Sequence, residues 1–179
     1  MCGPDLSNKT RGGALAALNP TTTSTAATST THLPSQCDFE FYTPGQPSSP
    51  SATWARFSSD IAGGDQIPSH NLYMIIHSTG DLTRKPSECG LFRRIPFPSM
   101  PTGRRTSTDS DSDSDDGQDS VLSFELDEPL SLQVGDQGII GRRVSLYSSS
   151  SSSSDSNDSI EDRILAEGII GFNFLRPAL

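Results

Sequence analysis

Ser107-Thr108-Asp109-Ser110-Asp111-Ser112-Asp113-Ser114-Asp115-Asp116 is the stretch on which the reading of the whole chain turns. Nothing in it is apolar, and its neighbouring carboxylates repel, so it has no surface to bury and favours an extended, solvated backbone. Between Arg105 and Arg142 there is no basic residue to offset it. Working outward, the shortage of apolar side chains persists: of 179 residues only 32% are apolar and 20% are charged, and much of the rest is Ser, Thr, Gly and Pro. Ordering a residue costs about 1–2 kcal/mol of backbone entropy, which such residues do little to offset by burial. The expectation is a predominantly intrinsically disordered chain, with at most short strand or helix segments within 37–98 and around 138–147 and 168–175.

Four segments follow from the composition. Residues 1–36 read as a disordered Thr/Ser-rich tail, in which Gly12-Gly13 and Pro20 would interrupt any helix around Ala14 to Leu18. Residues 37–98 hold most of the aromatic side chains and form a docking region, partly ordered at most; the best strand candidate is 71–77, an apolar, partly β-branched run bounded by polar residues. Residues 99–128 pass from paired arginines into the acidic run and read as a basic-to-acidic phospho-regulatory tract. Residues 129–179 read as a Ser-rich tail with an internal echo, Gly138-Ile139-Ile140-Gly141 and Gly168-Ile169-Ile170-Gly171. The two copies are either a small hairpin-like pair or two copies of one docking peptide, and coincidence is the plain alternative.

Charge divides the chain more sharply than composition does. Residues 1–105 hold nine Lys/Arg against seven Asp/Glu, net +2, while 106–179 hold four against fifteen, net −11. So acidic a half repels polyphosphate, which argues for protein partners and against direct nucleic-acid binding. The longest clearly apolar run, Leu72 to Ile76, is far too short to span a bilayer. Three widely separated cysteines, Cys2, Cys37 and Cys89, suit free thiols in a reducing compartment. The localisation this implies is intracellular, nucleus or cytoplasm.

Phosphorylation supplies the clearest short patterns. Arg104-Arg105-Thr106-Ser107 and Arg142-Arg143-Val144-Ser145 both match Arg-Arg-x-Ser. They resemble substrates of basophilic Ser/Thr kinases, whose acidic clefts pair with guanidinium groups. Thr108, Ser110 and Ser112 each have an aspartate three residues on, as do Ser152 and Ser159, an arrangement similar to substrates of casein-kinase-2-type enzymes. Three phosphates on the first group would add about five negative charges. Ser107 and Ser145 also each have Arg three residues before them, so a dimeric phosphopeptide reader of the 14-3-3 type fits as a partner that takes both.

Hydrophobic clusters supply candidate docking peptides: Leu91, Phe92, Ile95 and Phe97 beside the arginines; Val121, Leu122, Phe124 and Leu126 within 120–130, which resembles an acidic activation segment; and Phe172, Phe174 and Leu175 near the C-terminal end. Contact between the basic stretch 84–105 and the adjoining acidic run could mask the first cluster. No Gly-rich phosphate loop, nucleophile elbow or metal-ligand spacing is present, so no catalytic residue, cofactor or metal is expected and an enzyme is disfavoured. The functional expectation is a phosphorylation-regulated adaptor that binds protein partners through short linear motifs. The alternatives are an acidic transcriptional cofactor acting through 120–130 and a small folded binding module within 37–98.

Overall fold

Alternation of apolar and polar side chains organises this chain to a degree its composition conceals. In the computed structural model, which describes residues 10–21, 37–59, 72–98, 120–149 and 162–174, ten strands form one connected sheet. They are β1 (Thr10–Pro20), β2 (Cys37–Tyr42), β3 (Ser51–Ser59), β4 (Leu72–His77), β5 (Leu91–Pro96), β6 (Ser120–Val134), β7 (Gly138–Ile140), β8 (Arg143–Ser149), β9 (Asp162–Ile169) and β10 (Gly171–Phe174). The expected disorder is thereby corrected. Among the described residues the chain is a β-fold whose only helical element is the 3₁₀ turn Pro86–Glu88.

The strand order is β5-β4-β8-β9-β1-β2-β3-β6-β7, with β10 also paired to β1. β1 is the fold line. Its middle, Ala14 to Leu18, pairs with β2, while Asn19 and Pro20 pair with Glu167 and Ala166 of β9. One face-to-face layer is therefore β10-β1-β2-β3-β6-β7, and the other is β5-β4-β8-β9 with the end of β1. All pairings are antiparallel except β6 with β7.

Period-two alternation decides what each strand buries. Ala14, Ala16 and Leu18 of β1, Phe39 and Phe41 of β2, and Leu122, Phe124 and Leu126 of β6 all enter one core with Met74, Ile76, Val144 and Leu146 of the opposite layer. Phe97, just past β5, joins the layers, with ring centroids 5.7 Å from Phe39, 5.6 Å from Phe57 and 5.5 Å from Phe124. Burying each of these large side chains contributes about 1.5–3 kcal/mol, and that burial offsets the entropy of ordering the polar residues between them.

This placement corrects two further expectations. Residues 120–130 are not a solvated acidic segment but the first two thirds of a long strand whose carboxylates face outward. Nor is 37–98 a self-contained module, because β3 pairs with β6 and β4 with β8. Strands from all four sequence segments share one sheet.

The repeated Gly-Ile-Ile-Gly tetrads meet in space. Gly141 N–H donates to Ile170 O at 2.8 Å, and Ile170 N–H donates to Arg142 O at 2.9 Å. Ile139 and Ile170 are fully buried. The leading glycine is required in each copy, since a Cβ on Gly138 would lie 1.8 Å from Gln133 O and one on Gly168 would lie 2.2 Å from Ala17 O. Gly168→Ala must push β9 away from β1 and is expected to cost about 1–3 kcal/mol in urea unfolding; an unchanged midpoint would contradict the close strand approach.

Candidate functional site

The register of the sheet brings the ends of its strands into two groups. Leu18 faces Cys37, Cys37 faces Ser59, and Ser59 faces Ser120 in the first layer. Leu72 faces Ser148, Ser149 faces Asp162, and Tyr73 faces Pro96 in the second. These residues all lie at one end of the sandwich, here called the far end. At the opposite end lie the connections 43–50 and 78–90 and the stretch 135–142, which carries β7.

Four segments are tethered at the far end: 22–36, 60–71, 99–119 and 150–161, all outside the described residues. The first has no charged residue. The second has Asp60 and Asp65; the third has Asp109, Asp111, Asp113, Asp115, Asp116 and Asp119 with Arg104 and Arg105; the fourth has Asp155, Asp158 and Glu161. Eleven carboxylates against two arginines make −9, equal to the formal net charge of the whole chain, so all the remaining residues sum to zero. Topology thus attaches the charge excess to one end of a sandwich whose described residues sum to only −1.

Of the phosphorylation candidates, Ser107, Thr108, Ser110, Ser112, Ser152 and Ser159 lie in these tethered segments and outside the described residues. Ser145 is different. It sits on β8 at 0% exposure, so the expectation of an accessible switch there is corrected. Its two arginines serve the fold. Arg142 donates to the carbonyls of Gly138 (2.6 Å), Asp136 (2.8 Å), Gly135 (3.1 Å) and Ser78, and its guanidinium lies 4.0 Å from the centroid of the Phe92 ring. A bivalent reader of Ser107 and Ser145 would have to dismantle β8 to reach the second site.

The candidate docking residues are also divided. Leu91 and Val121 are exposed, Phe92 is half-buried under Arg142, and Ile95, Phe97, Leu122, Phe124 and Leu126 belong to the core. Phe172 is 43% exposed at the start of β10; Phe174 ends that strand, and Leu175 lies outside the described residues. The run Leu72 to Ile76 is the interior of β4, held between β5 and β8. Arg93 of β5 forms an ion pair with Glu128 of β6 at 2.6 Å, joining the edges of the two layers.

Sequence reasoning missed a polar cluster on the outer face of the second layer. Cross-strand neighbours His77 (β4), Ser145 and Arg143 (β8) and Glu167 (β9) converge there under the 78–90 connection. Arg143, 2% exposed, forms an ion pair with Glu167 at 2.5 Å and donates to Arg84 O at 2.7 Å and Asp81 O at 3.1 Å. Cys89 Sγ lies 3.5 Å from the same guanidinium nitrogen. Burial opposes the charge on Arg143, but its bond to Glu167 and the attraction of that carboxylate hold the guanidinium above its usual range. His77 Nε2 is 3.0 Å from Ser145 Oγ, and Ser145 Oγ is 3.1 Å from Glu167 Oε1. A serine beside a histidine suggests a nucleophile and its base. Here the carboxylate contacts the serine and not the imidazole, and both Ser145 and His77 are buried, so no substrate can approach. The only signal in the sequence was the Arg-Arg-x-Ser pattern itself, read for a kinase.

A shallow cleft of about 230 Å³ lies between Gly12-Gly13 and the β2–β3 turn, bordered by Tyr42, Gln46 and the Arg56–Glu40 pair. Among the described residues no group of three or more His, Cys, Asp or Glu is placed to hold a metal. The chain matches no protein-family model and no curated protein.

Proposed function

We propose that this protein is a phosphorylation-regulated binding protein in which a nearly neutral β-sandwich gathers acidic, serine-rich segments at one end to hold a basic segment of a protein partner. The observation that carries this reading is the coincidence of strand ends with charge: β5 to β6 and β8 to β9 are joined at the same end by the segments holding nine of the chain's carboxylates. Tethering several polyanionic segments to one rigid frame raises their local concentration around a common ligand, so modest contacts add. Complementary charge also speeds encounter with a basic partner and rejects acidic ones. Phosphates on Thr108, Ser110 and Ser112 would nearly double the charge of the run.

The test uses the full chain and a Lys/Arg-rich peptide as probe. Replacing Asp109, Asp111, Asp113, Asp115, Asp116 and Asp119 with Asn should weaken binding about tenfold or more at low salt, since exposed pairs contribute about 0.2–1 kcal/mol each. It should also flatten the salt dependence. Equal affinity in the two chains would overturn the reading.

A further inference from the structure

Resting on the function proposed above for the partner's charge, we propose that the outer edge of β6 takes an extended segment of the basic partner as an added strand. β3 pairs with one edge of β6 from Ser120 to Ser131, and β7 covers the other edge only around Ser131 and Val134. From Ser120 to Leu130 no strand among the described residues pairs with that other edge. Alternate residues there aim backbone N–H and C=O groups away from the sheet, as a new ladder needs. The regular part of the edge is Ser120 to Glu125, paired with Ser59 to Trp54. Beyond it the register slips, with Trp54 facing Glu125 and Ala52 facing Leu130, and Pro129 has no N–H to offer. The regular part suits an added strand of about six residues, a common length.

The same edge borders a seam in the core. β5 and β7 end the strand order, and no pairing joins β5 to β6. Every core side chain more than 5% exposed lies on β5, β6 or β7, or is Phe97 just past β5. The Arg93–Glu128 ion pair spans the seam beside the slipped register. At the far end the seam opens between Phe97 and Ser120, where the segment 99–119 with its acidic run is attached.

The two faces of β6 define what can lie beside it. Leu122, Phe124 and Leu126 point into the core, while Val121, Ser123, Glu125 and Asp127 are exposed. A neighbouring strand sets alternate side chains beside each row. Apolar residues of the occupant would cover the seam, and its Lys or Arg residues would meet Glu125 and Asp127. The occupant is therefore an extended partner segment in which apolar and basic residues alternate. None of the segments of this chain outside the described residues has that alternation. A second copy is disfavoured, because pairing two β6 edges brings together two strips with no basic residue between Arg105 and Arg142.

The test is amide hydrogen exchange and affinity measured on the full chain with the capped peptide Lys-Val-Arg-Ile-Lys-Val-Arg. One control has the same composition with its apolar residues grouped. Two others are N-methylated, one at the apolar positions and one at the basic positions, since alternate N–H groups of a strand point to opposite edges. The alternating peptide should slow exchange of alternate amides from Ser120 to Glu125 about tenfold or more, and the grouped peptide should not. One methylated peptide should lose about tenfold or more in affinity and the other little, as expected when several interstrand hydrogen bonds are removed from one edge only. Equal affinity of the two methylated peptides, or no new protection, would overturn the added strand. So would edge amides already slow without peptide, at every dilution if the chain's own segments cover the edge and only at high concentration if a second copy does. Equal binding of alternating and grouped peptides, both weakened in the Asp→Asn chain described above, would leave the charge reading standing and remove the strand. Protection of the edge with affinity unchanged in that Asp→Asn chain would do the reverse.

Discussion

Phe39→Ala is expected to lower the unfolding free energy by about 3–5 kcal/mol, the range for truncating a buried aromatic ring. Phe39 is fully buried, with its ring centroid 5.0 Å from Phe57, 5.7 Å from Phe97 and 6.2 Å from Phe41. Removing it opens a cavity where the two layers and the end of β5 meet, and strands on all sides limit relaxation. Since domains of this size hold about 5–15 kcal/mol in total, the loss removes a large fraction of the whole. Urea titration by far-ultraviolet circular dichroism measures it, and a loss under 1 kcal/mol would contradict a core centred on this ring.

Arg143→Met is expected to cost a similar amount, about 3–5 kcal/mol, because removing one partner of a buried ion pair leaves the other uncompensated. Here the loss is compounded: Glu167 keeps its carboxylate, while Asp81 O and Arg84 O lose their donor. The double variant Arg143→Met/Glu167→Gln should recover part of the loss, since the stranded charge goes with it. Additive losses in the two single variants would show that the two side chains are not coupled. The same experiment separates the uses of Arg-Arg-Val-Ser: a kinase site on an open chain would tolerate Arg143→Met without any change in stability.

Some of this fold was legible in the sequence, and the reasons for the rest are specific. The apolar run at 71–77 reads as a strand because it is continuous, and it forms β4. Val121-Leu122-Ser123-Phe124-Glu125-Leu126 instead alternates with period two, yet its outward glutamate makes it resemble an activation segment. β1 buries only Ala14, Ala16 and Leu18 at its middle, and alanine carries little strand signal. Whole-chain composition misled most, because the acidic and Ser-rich segments dilute an apolar content that is concentrated in the strands. The Gly-Ile-Ile-Gly echo was visible, but its pairing across thirty residues was not, since register depends on long-range contacts. For the candidate site, the acidic run could be read directly, whereas its convergence with the 150–161 segment at one end required the topology. The His77–Ser145–Glu167–Arg143 cluster draws on three strands, and the Arg-Arg-x-Ser pattern marks only the part of it on β8.

Order in the sandwich and presentation of its charge at one end are both tested by one titration. The full chain, isotopically labelled, is followed by amide resonances as a Lys/Arg-rich peptide is added. The expected spectrum is dispersed, with shifts at the far-end strand termini, Leu18, Cys37, Ser59, Leu72, Ser120, Ser149 and Asp162, while Gly45, Gly90 and Gly135 at the opposite end stay still. A collapsed spectrum would contradict the fold, and shifts centred on the opposite end, or none, would contradict the function.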